Sequence, residues 1–451
     1  MNIMFRKIEL WVVALLFVIF LIVLIGYGAV LREELKQNKT RDWFLQKIAL
    51  HIAEIPKNIR DIIFSTLVLP DKHANKPRFK RFIQTEREEL LLLARHNGDF
   101  KRSVVEIVDL NDFSVLHTFK PDFDEINNQT DTSRIVFKKL KTDNRPERYL
   151  MIHPILLNNG DLVFHSDSPL VKIDYCSKLL WVNDNNNYHH SNNIDHEGNY
   201  WVPSRMYPYA VDKEIVSDQY GKYIDDSIAK ISPNGKILYQ KSVSQILIEH
   251  GYKSLIFGID SYYKDPIHLN DIEPALNDGP FWNRGDVFLS LRNRSLILHY
   301  RPQSNQLINL IRGPFIKQHD VDIISDKEIS IFNNNNINTF RGDMNLSNSE
   351  VVIYNFENNQ FSQKFANSMA ENNVITETQG LSDILKDGSM MVEEQNYGRI
   401  LFFNSEGKLE WEFINKADNN KIYSVTWSRI IDDIKLINNI KEKIQNTTCS
   451  N

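Results

Sequence analysis

The chain has few cysteines, glycines and prolines for its length of 451 residues. Its two cysteines, Cys176 and Cys449, exclude a disulfide-rich scaffold and a cysteine-rich zinc site. The sequence does not set the distance between them, so we do not predict a disulfide. With 17 glycines and 15 prolines, a collagen-like or low-complexity chain is excluded as well.

The chain also lacks an excess of basic residues. Its 53 lysines and arginines are outnumbered by 58 aspartates and glutamates, which gives a formal net charge of −5. Nucleic-acid-binding proteins usually carry a basic balance, so we expect no nucleic acid partner. Hydrophobic residues make up 42% and charged residues 25%, a balance typical of a globular protein.

Charged residues are missing from one long N-terminal run, Leu10–Leu31. A helix needs about 20 such residues to cross a membrane, so this run is long enough. Arg6 and Lys7 precede it and favour a cytoplasmic N-terminus, although basic residues also follow it. A cleaved signal peptide is the alternative, because Gly26–Ala29 offers small residues. We predict a transmembrane anchor at 1–31 and a single-pass membrane protein whose remainder lies on the exported side, periplasmic or extracellular.

Residues 32–85 are predicted to form a helical stalk and a linker. Apolar residues between Trp43 and Ile52 recur at spacings of three and four, which makes one face of a helix. Pro56 interrupts this pattern, and a second short apolar stretch follows. Residues 70–81 are basic and contain prolines, so they are interpreted as the linker.

Residues 86–432 contain a repeat of short β-rich runs separated by turns. Each copy has a polar start, an apolar pair, a turn and a β run, and a second strand pair follows. Five copies are recognised, and they begin at His153, His190, His268, His319 and Thr378. Four strands repeated in this way predict a β-propeller.

A sixth blade is predicted from the two ends of this domain. It combines SVVEIVDLNDFSVLHTF (103–119) with IYSVTWSRIID (422–432). Pairing of the terminal strands closes the ring and removes exposed edges. The predicted fold is therefore all-β, a six-bladed β-propeller with an N-terminal transmembrane helix and a helical stalk. A β-sandwich with a second domain is the alternative, and the tail at 433–451 is predicted to be a short exposed helix.

Four of the five copies begin with histidine: His153, His190, His268 and His319. The innermost strand of each blade faces the central channel, so equivalent positions form a ring around one axis. Residues far apart in the chain are thereby expected to share one pocket. Arg292, at the end of a strand, is predicted to reach the same place.

Four segments resemble the bacterial arylsulfotransferase family. They are HHSNNIDHEGNYWVPSR (189–205), DPIHLNDIEPA (265–275), GDVFLSLRNRSLILHY (285–300) and KQHDVDIISDKEISIFNNN (317–335). The resemblance covers roughly residues 145–430. It implies a secreted six-bladed propeller with a funnel at its channel. It also implies transfer of a sulfuryl group from an aryl sulfate ester to a phenol, without a nucleotide sulfate donor.

The resemblance implies a role for each matching residue. His319, in a Gln-His-Asp motif, matches a nucleophile that becomes transiently sulfurylated. His268 and Arg292 match residues that bind the sulfate group. His190 matches a third catalytic histidine, with His189 as the competing alignment.

Asn270 stands where the family also keeps asparagine, and it is assigned to substrate binding. This chain departs from the family pattern in three places. Asp271 replaces a small serine, an acidic run at 320–322 flanks His319, and the following strand ends in the asparagine run 333–336 without an Asn-Gly turn. These departures leave the substrate preference open.

The residue types suit sulfuryl transfer independently of the family. The reaction needs positioning, a nucleophile and positive charge on the transferring oxygens. A neutral imidazole supplies the nucleophile, and arginine supplies fixed donors. Asp320 or Asp322 is predicted to orient an imidazole through its second nitrogen. No metal and no organic cofactor are required, and the expected partners are an aryl sulfate donor and a phenolic acceptor.

Two other functions are consistent with the sequence. Three or four imidazoles bind copper or zinc, although Arg292 in the same ring disfavours a cation. A catalytically silent propeller that binds a ligand or a partner fits the fold equally well.

Other conspicuous side chains are expected to be structural. Arg205 and Arg294 are interpreted as surface or blade-edge charges. Four aromatic residues are interpreted first as packing residues and second as the lining of an aromatic acceptor site: Trp201, Trp282, Tyr207 and Tyr209.

Overall fold

The computed structural model describes residues 9–35, 48, 52–53, 55, 67–137, 140, 144–258, 262–340 and 342–449. The chain divides into two compact units, 1–66 and 67–451. The helices are α1 (Leu10–Leu35), α2 (Phe123–Asn128), α3 (Val243–Glu249), α4 (Ser254–Phe257), α5 (Ala366–Glu371) and α6 (Ile434–Asn446).

Helix α1 is the main described element of the first unit. Its residues Leu10–Leu31 are apolar around the whole circumference, and this stretch is long and apolar enough to cross a membrane. A signal sequence near an N-terminus has the same properties. The predicted stalk at 32–69 falls mostly outside the described residues.

The second unit is built from β-strands. They are β1 (Phe79–Arg81), β2 (Leu90–Asn97), β3 (Arg102–Asp109), β4 (Val115–Phe119), β5 (Ile152–Leu156), β6 (Leu162–His165), β7 (Leu170–Ile173), β8 (Leu179–Asn183), β9 (Asn187–Tyr188), β10 (Asn193–Ile194), β11 (Tyr200–Arg205), β12 (Asp226–Ile231), β13 (Ile237–Ser242), β14 (Leu269–Pro274), β15 (Val287–Leu291), β16 (Leu296–Arg301), β17 (Gln306–Ile311), β18 (Val321–Ile323), β19 (Glu328–Asn333), β20 (Asn336–Thr339), β21 (Gly342–Asn345), β22 (Glu350–Asn355), β23 (Gln360–Ser362), β24 (Leu381–Ile384), β25 (Met390–Glu394), β26 (Arg399–Phe403), β27 (Leu409–Ile414) and β28 (Arg429–Ile431).

These strands form six antiparallel sheets arranged as the blades of a β-propeller, as predicted. From the innermost strand outwards, blade 1 is β28-β2-β3-β4, blade 2 is β5-β6-β7-β8, blade 3 is β10-β11-β12-β13, blade 4 is β14-β15-β16-β17, blade 5 is β18-β19-β22-β23 and blade 6 is β24-β25-β26-β27. Strand β9 adds to β11 in blade 3, and β20 and β21 form a separate hairpin.

Blade 1 closes the ring as the sequence predicted. Strand β28, near the C-terminus, pairs with β2 near the start of the domain, with Leu90 opposite Ile431. Strand β1 then extends blade 6 as a fifth strand, with Phe79 opposite Phe413. Residues 70–81, which the sequence pattern assigns to the linker, therefore lie in the propeller unit.

Apolar side chains fill the space between neighbouring blades. One such cluster joins Trp201 and Ile228 of blade 3 to Leu269, Leu289 and Leu298 of blade 4. Full burial of a leucine or isoleucine side chain contributes roughly 1.5–3 kcal/mol. Trp201 is part of this core, in agreement with the packing interpretation.

The C-terminal tail differs from the prediction of an exposed helix. Helix α6 buries Ile437 and Ile440 against a core cluster of blades 1 and 2. The tail is also covalently attached, because Cys449 forms a disulfide with Cys176, a pairing that the sequence leaves open. Sequence spacing does not show which distant cysteines meet, and only the docking of α6 brings this pair together.

Several insertions lie on one face of the propeller, where the innermost strands begin. We call it the site face. They include the segment 206–225 before β12, the segment with α3 and α4 before β14, and the β20–β21 hairpin. Strand β15 ends on the same face, because Leu291 pairs with Leu269 at the start of β14.

Candidate active site

A left-handed residue precedes or begins the innermost strand of every blade. From blade 1 to blade 6, these residues are Trp427, His153, His190, His268, Lys317 and Gly380. Residues other than glycine avoid this conformation, which costs of order 1–3 kcal/mol at each position. Three of these strained positions are occupied by histidines on the site face.

The predicted equivalence of four histidines holds for three of them. His153, His190 and His268 have φ angles of 43°, 61° and 53°. His319 does not share this conformation, because Lys317, with φ of 52°, is the left-handed residue of blade 5. His319 therefore reaches the channel from two residues further along, where its side chain is fully buried.

The rings of three predicted site histidines nevertheless meet. The ring centroid of His190 lies 5.2 Å from that of His268 and 6.1 Å from that of His319. His153 lies outside this group. Its ring packs edge-on against Trp427 at 5.0 Å, and its Nδ1 accepts a hydrogen bond from the backbone of Asn192 at 3.1 Å.

The tautomer of His319 is fixed by Asn334. Asn334 Nδ2 donates to the carbonyl oxygens of Thr376 and Gln379, both at 2.9 Å, so its Oδ1 must face the imidazole. His319 Nδ1 lies 2.7 Å from this oxygen and must carry the proton. The lone pair is thus on Nε2, a buried atom that has no hydrogen-bond partner among the described residues.

Burial keeps His319 neutral. Desolvation, followed by the nearby charge of Arg292, lowers the pKa of His319 to about 3. The prediction that Asp320 or Asp322 orients this ring is wrong. The Asp320 carboxylate instead accepts from the backbone N–H of Ser382 at 3.0 Å.

His268 is oriented by a carboxylate rather than an amide. Its Nδ1 lies 2.6 Å from Asp265 Oδ2, three residues earlier in the chain. This contact leaves Nε2 as the nitrogen available to the shared pocket. The backbone carbonyl of His268 also accepts from Arg292 N at 3.0 Å, which ties the two predicted sulfate-binding residues together.

Arg292 begins a short 3₁₀ turn after β15, Arg292–Arg294. Its Nη1 donates to Asn293 Oδ1 at 3.0 Å, whereas its buried Nε has no partner among the described residues. Burial lowers the pKa of Arg292, and Asp343 opposes this effect. The positive charge of Arg292 also contributes to the lowered pKa of His319.

The structure separates His190 from His189. The Nδ1 atoms of the two rings lie 2.7 Å apart, and His189 Nε2 lies 3.3 Å from Asp226 Oδ1 on the far side. His190 is the ring that faces His268 and His319, and His189 lies behind it. Burial lowers the pKa of both imidazoles, so both are neutral near pH 7.

Asn270 supports the site from below. It is fully buried, and its Nδ2 donates to the carbonyl of Gln318 at 3.0 Å. This bond joins blade 4 to the residue that precedes His319. Its Oδ1 has no partner among the described residues, so it remains open to the predicted role in substrate binding.

A ring of carboxylates joins successive blades beneath the histidines. Asp271 accepts from Val321 N at 3.0 Å, and Asp383 accepts from Ile430 N at 3.2 Å. Asp320 makes the equivalent bond described above. The aspartate that replaces serine after Asn270 thus has a structural role, since it fastens blade 4 to blade 5.

Three residues of this arrangement were missed from the sequence: Asn334, Asp265 and Asp226. The pairing of β18 with β19 places the asparagine run 333–336 towards His319, but it does not single out Asn334. Asp265 lies three residues before His268, but no sequence pattern pairs the two. Asp226 lies in another part of blade 3, and only the fold brings it to His189.

A metal-binding arrangement is not seen in the part of the chain that the structure describes. No group of three or more histidine, cysteine, aspartate or glutamate side chains there is placed to hold an ion. Trp282 lies in the core, as expected for a packing role. Tyr207 and Tyr209 pack edge-on at 5.2 Å within the 206–225 segment on the site face.

Fold and site together define a closed β-propeller with three imidazoles and a guanidinium at one end of its channel. The model of the arylsulfotransferase (ASST) family matches residues 153–416, more than half of the sequence, and the chain belongs to this family. Membership supports an arylsulfotransferase-type activity on small molecules.

Several solved structures match the chain at low identity and with TM-scores below 0.5. A protein of unknown function from Bacteroides caccae has 12% identity and a TM-score of 0.46, over 76% of this chain and 99% of its own. TolB from Acinetobacter baumannii has 9% identity and a TM-score of 0.41, over 87% and 74%. Virginiamycin B lyase from Staphylococcus aureus has 12% identity and a TM-score of 0.33, over 58% and 69%. No curated protein matches the chain.

Proposed function

We propose that this protein transfers a sulfuryl group from an aryl sulfate ester to a phenolic acceptor through a sulfohistidine at His319. The observation that carries the proposal is the state of His319. Its ring is fully buried and neutral, Asn334 holds Nδ1, and the Nε2 lone pair has no partner among the described residues. A neutral imidazole with one free nitrogen is a competent nucleophile.

In the first half-reaction, His319 Nε2 attacks the sulfur of the donor. The new N–S bond forms as the S–O bond to the aryl group breaks, and the bonding pair leaves with the aryl oxygen. Arg292 stabilises the negative charge on the sulfuryl oxygens. His268 is placed to protonate the departing phenolate, because the Asp265 carboxylate at its Nδ1 stabilises a cationic imidazole.

In the second half-reaction, the oxygen of the acceptor phenol attacks the same sulfur. The N–S bond breaks, its electron pair returns to His319, and the phenolic proton passes to His268. His190 borders the same space and donates or accepts hydrogen bonds there, with His189 and Asp226 behind it. Two half-reactions with a covalent intermediate imply ping-pong kinetics.

The test is mass spectrometry of protein quenched after exposure to an aryl sulfate. We expect an added sulfuryl group on the peptide that contains His319. The variant His319→Asn should form no adduct and should lose sulfate exchange between an aryl sulfate and a phenol. His196 lies exposed in the turn between β10 and β11, so His196→Asn is the matched control and should keep full activity. A sulfuryl adduct on another residue, or a wild-type rate of sulfate exchange in His319→Asn, would refute the assignment of His319 as the nucleophile.

We further propose that α1 anchors the protein and that the propeller lies on the exported side of the membrane. Helix α1 has the necessary length and composition, and Arg6 and Lys7 precede it. The disulfide between Cys176 and Cys449 supports export, since such bonds persist in oxidising compartments. Protease added to intact cells or spheroplasts should degrade the propeller. A propeller found in the soluble fraction would instead indicate that α1 is cleaved.

A further inference from the structure

A cleft of about 400 Å³ opens on the site face next to the 3₁₀ turn Arg292–Arg294. Its walls come from α4, from the 3₁₀ turn after β15 and from the segment after β17. The residues that define its chemistry are Ser254, Leu255, Asn293, Arg294, Arg312 and Phe315. The proposed sulfuryl-transfer mechanism uses none of these side chains.

The cleft carries two positive charges, and none of its lining residues is acidic. Arg294 was expected to be a surface charge, but it is half-buried, and its Nε and Nη2 atoms are buried without a partner among the described residues. Arg312 is exposed on the opposite wall, and in the described part of the chain it makes no ion pair. Buried guanidinium donors without partners are costly, and an anion in the cleft would satisfy them.

Size and lining indicate what surrounds that anion. Clefts of roughly 300–1,000 Å³ are typical of sites for small organic molecules. The apolar surfaces of Leu255 and the buried Phe315 provide a wall against which an aromatic ring packs. Ser254 and Asn293 add short polar groups next to the two arginines.

The cleft is adjacent to the proposed sulfate-binding Arg292 through Asn293. Arg292 and Arg294 belong to one 3₁₀ turn, in which each residue rises only about 2 Å. Asn293 lies between them, accepts a hydrogen bond from Arg292 Nη1 and lines the cleft. The turn that carries the proposed sulfate-binding residue Arg292 therefore also forms one wall of the cleft.

We propose that this cleft binds an anionic substituent, such as a carboxylate, sulfate or phosphate, on the aromatic substrate whose phenolic oxygen lies at His319. The inference rests on the proposed function and adds a preference for acidic aromatic substrates. Arg294 is the inner contact and Arg312 the outer one. Arg292 keeps its separate task at the sulfuryl oxygens.

The first test compares two acceptors with the same phenol, 3-(4-hydroxyphenyl)propionate and its methyl ester. We expect wild-type kcat/KM to be about tenfold or more higher for the acid, as for one charged hydrogen-bonded contact. The variants Arg294→Met and Arg312→Gln should lower kcat/KM for the acid towards that for the ester, and leave the ester unchanged. Arg284→Gln removes an exposed charge at the other end of β15, on the opposite face, and should change neither value.

Equal use of the two acceptors by the wild type would overturn the proposal. An equal loss with both acceptors in both arginine variants would also overturn it, since it would indicate a general structural defect. Arg312 is exposed, so Arg312→Gln gives an answer even if Arg294→Met fails to fold.

The second test does not depend on turnover. Phenylglyoxal modifies accessible arginines, and peptide mass spectrometry then reports its attachment at Arg294 and Arg312. We expect the aryl propionate to protect both arginines, and the ester to protect neither. Protection by inorganic phosphate alone that equals protection by the propionate would indicate a site for a free anion and would overturn the substrate assignment. If the protein transfers no sulfuryl group but the propionate still protects, the proposed function fails while the cleft retains its ligand class.

Discussion

The contact between Asn334 and His319 gives the sharpest test of how the site is organised. The variant Asn334→Leu keeps the branched side-chain shape but removes three hydrogen bonds, to His319 Nδ1 and to the carbonyls of Thr376 and Gln379. His319 would then be free to rotate and to exchange its proton between its two nitrogens. Outer partners of this kind typically contribute about 10- to 100-fold when removed. We expect kcat/KM to fall by that factor, which corresponds to roughly 1.4–2.7 kcal/mol of barrier.

The assay measures transfer from an aryl sulfate to a phenol, together with the single-turnover rate of sulfohistidine formation. Both rates should fall, because Asn334 orients His319, which is the nucleophile of the first half-reaction and the leaving group of the second. Asn334→Asp keeps an acceptor oxygen for His319 Nδ1 but loses both donated bonds. Per folded molecule it should therefore retain more activity than Asn334→Leu.

A purely structural role for Asn334 would show a different pattern. Both variants would then lose folded protein, while the folded fraction kept the wild-type rate of sulfohistidine formation. Such a result would refute the argument that Asn334 fixes the tautomer. Asn358→Leu, in an exposed turn on the opposite face of blade 5, is the matched control and should change neither rate.

Three further predictions concern stability. Burial raises the pKa of Asp383 to about 6, above the ~3.9 of an unfolded chain, so folding loses stability as pH rises from about 4 to 6. Asp383→Asn still accepts from Ile430 N. At pH 8 it should therefore raise the free energy of unfolding by up to about 3 kcal/mol, seen as a higher Tm, and at pH 4 it should change Tm little. Cys449→Ser should lower the free energy of unfolding by about 2–4 kcal/mol, and reductant should then have no further effect on thermal unfolding. Gly398 has a φ of 60° and an added Cβ would lie 2.4 Å from Tyr423 O, so Gly398→Ala should lower Tm, whereas Gly198→Ala, with open space around it, should cost less.

The propeller was predictable because its signal is repeated. Each blade carries the same order of strands and turns, so an error in one copy is corrected by the others. The pairing of β28 with β2 followed from the need to close the ring. Strand β1 was missed because FKR is short and basic, and its strand partner β27 lies more than 300 residues away. The disulfide was missed for the same reason, since no local pattern relates Cys176 to Cys449.

The sequence predicts which histidines form the site more readily than it predicts the residues that hydrogen-bond to them. His190, His268 and His319 are marked by their positions in the repeat and by the family resemblance, and their rings do meet. Their partners carry no such mark. Asn334 is one of four consecutive asparagines, and nothing in their order shows which one turns towards the imidazole. That choice depends on the backbone carbonyls of Thr376 and Gln379, just before blade 6, which accept hydrogen bonds from Asn334 Nδ2.

The three histidines differ most in what holds their second nitrogen. An amide oxygen holds Nδ1 of His319, a carboxylate holds Nδ1 of His268, and another imidazole holds Nδ1 of His190. An amide fixes a neutral ring without stabilising positive charge, which suits a nucleophile. A carboxylate stabilises an imidazolium and suits an acid–base group, and a neutral imidazole does neither strongly. The proposed roles imply that replacing the Asp265 carboxylate by an amide weakens His268 as an acid–base group. Asp265→Asn should therefore slow protonation of poor leaving groups, while donors with acidic phenols, which need no proton to depart, should react at nearly the wild-type rate.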